Sequence, residues 1–265
     1  DGRVLGSVSS TTAENAIDAG SSNSDSADVT ISNLGEENGF DSLNQGESAT
    51  ATLNFASEDG TASESYEYTI TGANDQASIT NNGQRTFGEN DVLDNGSNTQ
   101  ESIVSVFDVD YGQQEFAAQS QSANFTVDGR VLGSVSSTTA ENAIDAGSYN
   151  SDSADVTISN LGEENGFDSL NQGESVTATL NFASEDGTAS ESYEYTITGA
   201  NDQASIINNG QMTFSENDVL DNGLDTQDSV VKVSDVDYGQ QEFAAQSQSA
   251  NFTVDGRVLG SVSST

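Results

Sequence analysis

The first eleven residues, DGRVLGSVSST, return unchanged at Asp128 and again at Asp255, so the chain repeats with a period of 128 − 1 = 255 − 128 = 127 residues. Laying residues 1–138 over 128–265 leaves eleven mismatches, several of them mild, such as Ile103/Val230, Glu101/Asp228 and Asn98/Asp225. A solenoid unit is ~20 to 50 residues long, whereas this period has the length of an independently folding domain. Copies this similar are recent duplicates, and domains strung end to end are the expectation.

Charge narrows the class. Asp and Glu total 44 against 5 Lys and Arg, for a formal net charge of -39. Nucleic acid and anionic lipid are therefore excluded as expected partners. The acids are scattered singly among Ser, Thr, Asn and Gly, and apolar residues recur in short regular runs that a disordered acidic chain lacks. Cys and His are both absent, which removes disulfides, thiolate or imidazole metal sites, Ser-His-Asp triads and Cys-His nucleophiles. Hard-cation chemistry on oxygen ligands remains. No run of ~18 apolar residues is present, so no membrane insertion is expected. The opening residues carry no charged-then-apolar export pattern, and the sequence reads as cut from a longer chain.

Alternating apolar and polar residues predict strands at Ser102–Val106, Asn124–Val127, Arg130–Val135, Ala154–Ser159, Ser175–Phe182 and Ser192–Thr198. Each is bounded by Gly, Asn, Asp or Ser. Asp128-Gly129 reads as a tight hairpin turn, since Gly accepts positive φ. Further turns are expected at Asn95-Gly96, Asp145-Ala146-Gly147, Asn165-Gly166 and Asp186-Gly187. About seven short strands per period, without proline, predict an all-β fold of tandem immunoglobulin/cadherin-like antiparallel β-sandwich domains, end to end. Tyr66, Tyr68, Tyr193 and Tyr195 alternate and read as strand packing.

Each such domain has a small core and a large excess of like charge that opposes compaction. Divalent metal bound by carboxylates offsets that charge and couples binding to folding. Three constellations per period have the oxygen ligands. Asp108-Val109-Asp110, repeated as Asp235-Val236-Asp237, closes an apolar run, and its spacing places both carboxylates on one side of an extended backbone. Gly72-Ala73-Asn74-Asp75, repeated as Gly199-Ala200-Asn201-Asp202, follows the last strong strand. Lone acids lie near turns at Glu89 and Glu216, and at Glu47 and Glu174. All have structural readings too: a solvated loop for the Asp pair, an Asx turn for Asn201-Asp202, and hairpin tips for Glu58-Asp59 and Glu185-Asp186. Glu36-Glu37 and Glu163-Glu164 read as a solvated or secondary calcium-binding loop.

The segments YEYTITGANDQASI at 66–79, FSENDVL at 214–220, VSDVDYG at 233–239 and LNQGES at 43–48 resemble the cadherin-like repeats of bacterial surface proteins, in particular the VCBS repeats and extender domains of RTX adhesins. The resemblance covers the whole repeat. It implies calcium at the junctions between sandwiches. Carried over by position, one junction joins Glu47, Asn74, Asp75, Glu89, Asp108 and Asp110, and the next joins Glu174, Asn201, Asp202, Glu216, Asp235 and Asp237. The family's linker has a further Asp two places before its Asn, where this chain has Gly72 or Gly199. The family frame also implies that domains start after the Asn-Asp junction. Residues 1–75 are then the latter part of one sandwich, 76–202 a complete one, and 203–265 the opening part of the next. Strand complementation between chains would complete the end pieces.

The function expected from this is a calcium-stabilised structural extender of a large secreted adhesin on the bacterial cell surface, exported by a type I route, with neighbouring identical repeats as its partners. The alternative is a module of the same adhesin that binds carbohydrate, ice or a protein partner directly. An enzyme is not expected, because Trp and His are absent and the two copies are nearly identical.

Overall fold

A computed structural model describes residues 2–13, 26–35, 38–92, 96–140, 152–162, 165–219 and 225–265. Asn95, the expected turn at 145–147 and the acid pairs at 36–37 and 163–164 lie outside the described residues. In chain order the strands are β1 (Gly6–Ala13), β2 (Ser26–Asn33), β3 (Ser48–Ala56), β4 (Ser63–Thr71), β5 (Ser78–Asn81), β6 (Thr86–Gly88), β7 (Ser97–Phe107) and β8 (Ser120–Val127). They continue as β9 (Arg130–Ala140), β10 (Asp152–Asn160), β11 (Ser175–Ala183), β12 (Ser190–Thr198), β13 (Ser205–Asn208), β14 (Val231–Ser234), β15 (Gln248–Val254) and β16 (Arg257–Ser264). Helical structure among the described residues is confined to short 3-10 turns at Phe40–Ser42, Glu89–Asp91, Phe167–Ser169 and Glu216–Asp218. The chain is all-β.

Two sheets face each other at its centre. One has the order β5-β7-β10-β9-β8 and the other β11-β12-β6, with β11 packed on β8 and β9. All neighbours are antiparallel except β6, which runs parallel to β12. The period-two pattern acts as expected: Ala154, Val156 and Ile158 of β10 and Val176, Ala178, Leu180 and Phe182 of β11 turn inward. These side chains join one apolar cluster whose members run from Ala77 to Ile197. Phe125 meets Phe167 edge-to-face with centroids 5.3 Å apart. Tyr195 is fully buried and its hydroxyl accepts from Asn81 Nδ2 at 3.0 Å, and Tyr193 packs on the core, so the tyrosine alternation is packing in the central sandwich, whereas Tyr66 in the first copy is 53% exposed. The outward face of the larger sheet carries hydroxyls instead, with Thr99 and Thr157 in hydrogen-bond contact at 2.9 Å.

The Asp128-Gly129 turn has φ of 49° and 79° at its two residues, the doubly positive pair of a turn whose twist matches the flanking strands. The larger sheet departs from a plain ladder at two places, one of them the extra residue Leu132 of β9 between the Phe125↔Gly133 and Thr126↔Val131 pairs. At the other, β7 bulges against β10: between the Val104↔Ala154 and Gln100↔Val156 pairs its residues Glu101, Ser102 and Ile103 face Asp155 alone, Ser102 takes φ of 50°, and its N–H donates to the Asp155 carboxylate at 2.7 Å. Alternation within Ser102–Val106 carries no sign of this, because the bulge shows only in the register against β10.

Strands β1–β4 and β13–β16 repeat sequences that occur in the central sandwich but pair only as two-stranded ribbons. Identical residues consequently differ in burial. Ile158 is 1% exposed and its repeat counterpart Ile31 is 47% exposed; Leu132 and Leu259 are 0% and 63%. Burial belongs to the assembled two-layer unit rather than to the strand sequence. Ile158→Ala is therefore expected to cost about 2 to 5 kcal/mol in urea unfolding, and Ile31→Ala less than about 1 kcal/mol. Equal costs at both positions would mean that β1–β4 is covered in solution.

Candidate functional site

The inward parity of β7 carries past the strand's end. Val104, Val106, Asp108 and Asp110 are spaced by two and all are fully buried, so the two carboxylates continue the core face out to the end of the sandwich. There they meet the segment that follows β4. The Asp75 N–H donates to Asp110 Oδ2 at 2.9 Å, and the Asp110 N–H donates to Asp108 Oδ1 at 2.9 Å. Gln114 Nε2 donates to the carbonyls of Asp108 and Asp110 at 2.9 and 2.6 Å, fixing the loop that carries the pair.

The same joint recurs one period on. The Asp202 N–H donates to Asp237 Oδ2 at 3.2 Å, the Asp237 N–H to Asp235 Oδ1 at 3.0 Å, and Gln241 Nε2 to the carbonyls of Asp235 and Asp237 at 2.8 and 2.7 Å. Asp237 is fully buried and Asp235 half-buried. Two joints with matching contacts mean that local sequence specifies the geometry.

Several expected residues take other positions. Glu89 does not join Asp108 and Asp110. It is 1% exposed at the opposite end of the sandwich, where its Oε1 accepts the Ala200 N–H at 2.8 Å and its neighbouring charges are Asp202 and Asp237. The 3-10 turn after β6 faces the outgoing linker, so an acid on it serves the joint that its module leaves by. Glu216, at the same place one period later, is exposed on the corresponding 3-10 turn. Glu47 and Glu174 engage their own loops: Glu47 Oε2 accepts the Asn44 N–H at 3.3 Å, and Glu174 Oε2 accepts the Asn171 N–H and Nδ2–H, both at 3.1 Å. Each closes an Asn-Gln-Gly-Glu turn. Asn74 and Asn201 donate from Nδ2 to the carbonyl of the next residue, at 3.0 and 2.7 Å.

One acid enters that sequence reasoning treated first as a hairpin tip. Asp186 accepts from Asn74 Nδ2 at 3.0 Å, so the β11–β12 turn reaches the first joint. Ser184 Oγ and the Thr188 N–H hold its other oxygen at 2.6 and 3.1 Å. Burial pushes this carboxyl up, but the bonds from Ser184, Thr188 and Asn74 together bring it down to about 2. Serine and threonine two residues either side of the Asp were the available signal.

The other acids are in the opposite condition. Burial, then the charges of Asp110, Asp186 and Asp75, pushes Asp108 up; burial, then Asp75 and Asp186, pushes Asp110 up, in each case against one backbone N–H bond. Burial also raises Glu89 to about 7, with Asp202 and Asp237 adding to it. Four of these buried oxygens have no hydrogen-bond partner among the described residues: Glu89 Oε2, Asp108 Oδ2, Asp110 Oδ1 and Asp237 Oδ1. Buried oxygens left unpaired beside like charges are costly unless a proton or a cation joins them. The donor set is all oxygen, the set that suits calcium or magnesium. Among the described residues the acids are gathered without closing: no group of three or more Asp or Glu is arranged as a ready metal cage.

Gly199 explains why the linker lacks the additional acid of the cadherin-like pattern. A Cβ there would lie 2.6 Å from Leu170 O and 2.5 Å from Asn171 O, and Gly72 meets Leu43 and Asn44 in the same way. The linker is laced to this loop, with the Gly199 N–H on Glu174 O at 2.9 Å and the Gly173 N–H on Gly199 O at 3.0 Å. A side chain at this position has no space, whatever its charge.

The chain matches no family model and no curated protein. Among the described residues no helix is long and apolar enough to cross a membrane.

Two outcomes follow from the geometry. The folded protein holds the Glu89 proton at pH values where an unfolded chain has released it, so in chelator the contribution of Glu89 to stability is fully present below pH about 4.5 and is lost as pH rises through about 7. Glu89→Gln is expected to flatten that decline in urea midpoints measured across the window. Gly199→Asp, which puts an acid two places before Asn201, is expected to lower stability by about 1 to 3 kcal/mol in the presence of calcium rather than raise it.

Proposed function

We propose that the chain is a run of structural spacer modules, of the cadherin-like kind found in bacterial surface adhesins, whose joints are stiffened by calcium. The observation that carries this reading is the set of buried, unpartnered carboxylate oxygens at both ends of the central sandwich. A solvated acidic loop would leave those oxygens to water, and a catalytic pair would not recur in two copies joined to linkers. On this reading the module is 76–202, a frame supported by the apolar cluster running from Ala77 to Ile197.

The joint draws on both neighbours. Glu89 comes from the module before the linker, Asp202 from the linker, and Asp235 and Asp237 from the module after it. The position of Asp186 at the first joint adds an acid from the β11–β12 turn of the following module. A divalent ion among them supplies positive charge, draws the carboxylates together and makes rotation about the linker costly. Half-modules such as β1–β4 and β13–β16 are completed by a complementary copy, from the same chain or another.

Extracellular calcium modules bind at ~10⁻⁴ to 10⁻³ M, concentrations met outside cells and not in cytosol, which accords with a secreted surface protein. At about 10 mM calcium one such site stabilises by about 1.4 to 2.7 kcal/mol. Thermal melting at constant ionic strength is expected to show a calcium-selective rise over magnesium that disappears in Asp110→Asn/Asp237→Asn. Equal stabilisation by any salt would reduce the acids to screened surface charge and end the proposal.

A further inference from the structure

Arg3, Arg130 and Arg257 occupy one position of the repeat and account for three of the chain's five basic residues. At both joints this arginine does the same thing. The Arg130 Cζ sits 4.0 Å above the centre of the Tyr238 ring, and Arg3 sits 3.9 Å above Tyr111. Nη1 of Arg130 donates to Ser169 Oγ at 3.0 Å, and Nη1 of Arg3 to Ser42 Oγ at 3.1 Å. The residues on either side are tied across the joint by backbone and amide bonds. The Tyr238 N–H donates to Ser169 O at 3.2 Å and Gln240 Nε2 to Asn171 Oδ1 at 2.6 Å; at the first joint Tyr111 and Gln113 reach Ser42 and Asn44 at 3.2 and 3.1 Å. Arg130, Ser169 and Asn171 belong to the module before the linker, and Tyr238 and Gln240 to the one after it.

We infer that Arg130, with Ser169 and Asn171, forms a docking clasp for the Tyr-Gly-Gln-Gln loop of the next repeat, Tyr238–Gln241, and that this clasp holds the joint closed on one side without a metal ion. Of the candidate acids, Glu47 pairs with Arg3 Nη2 at 3.9 Å and Glu174 holds Asn171, so the clasp stands apart from the Asp pairs and not from these two glutamates. The Arg130 Nε is buried without a hydrogen-bond partner, so the guanidinium is partly withdrawn from water, the condition in which attraction to an aromatic face is strongest. A flat guanidinium can lie on the ring and donate in its own plane to Ser169 at once, which an ammonium cannot. Tyr238 itself stays exposed, so its position depends on the clasp rather than on a core. In a chain of formal charge -39, whose modules repel, a fixed cation at every joint gives each module a preferred neighbour. The joint is then a hinge with two parts: a pin at the arginine and a cation-dependent brace at the carboxylates.

The chain has no cysteine, so spin labels at Thr179→Cys and Lys232→Cys, both exposed strand positions, report the distance across the second joint in the full 265-residue protein. In chelator the otherwise unaltered chain is expected to keep a bounded distance distribution. Arg130→Ala and Tyr238→Leu, substitutions on opposite sides of the joint, are each expected to lose that bound, and the double variant to be no broader than either. Arg130→Lys is expected to fall with the alanine variant. Distributions in chelator that superimpose on that of the unaltered chain for both single variants overturn the inference, as does a double variant that adds the two effects. Thermal melts of the variants separate an opened joint from an unfolded module. Calcium is expected to narrow every distribution; absence of that narrowing counts against the proposed brace and leaves the clasp readings in chelator intact.

Discussion

Carboxylates held out of water beside one another are the condition on which the joints depend. Asp108 and Asp110 are buried because they sit on the inward parity of a core strand, and Glu89 because a 3-10 turn presses it against the outgoing linker. Neither arrangement is stable on its own account, since burial and like charge both disfavour the ionised form. The backbone N–H groups of Asp75, Ala200 and Asp202 answer part of that cost, and the remaining oxygens point to a positive partner. Strand geometry thus gathers a few buried acids at each end of the central sandwich, while the rest stay scattered over the chain.

The sandwich and the joint share their parts. The turn closed by Glu174 supplies Leu170 and Asn171, on which Gly199 lies; Asn171 in turn receives Gln240 of the following module. Ser169, which ends the 3-10 turn beneath, holds both Arg130 and the Tyr238 backbone. A short loop from Phe167 to Glu174 therefore connects the buried Phe167 and Leu170 to the Tyr238 and Gln240 contacts of the next repeat. This coupling places the joint's orientation under the control of the core rather than of the linker's own flexibility.

The strands of the central sandwich were legible because apolar alternation is a local property: Ala154–Ser159 and Ser175–Phe182 lie within β10 and β11. The Asp-x-Asp pair was legible for the same reason, since its spacing continues the strand's parity. The side of the sandwich on which an acid emerges is a different matter. Nothing in the neighbourhood of Glu89 says that it faces residue 200 rather than residue 110, and chain order alone grouped it wrongly. Asp186 looked like a turn residue because it is one; its contact with Asn74 spans 112 positions. The arginine clasp was missed because Arg130 and Tyr238 are unremarkable until the fold brings them together. Glu47 and Glu174 show the converse, acids at a suggestive spacing whose spacing serves their own loop.

The contrast between Phe125, wholly enclosed, and Phe252, 58% exposed, has a consequence for biogenesis. β16 carries the same first eight residues as β9, so an unfinished module offers its neighbour a strand that fits the neighbour's sheet as well as the native one does. Exchange of that strand between adjacent modules is neutral in side-chain contacts, and no sequence difference penalises it. Correct assembly of such an array consequently rests on the order in which its modules emerge and close: each finished sandwich withdraws its own strand from competition before the next identical one arrives.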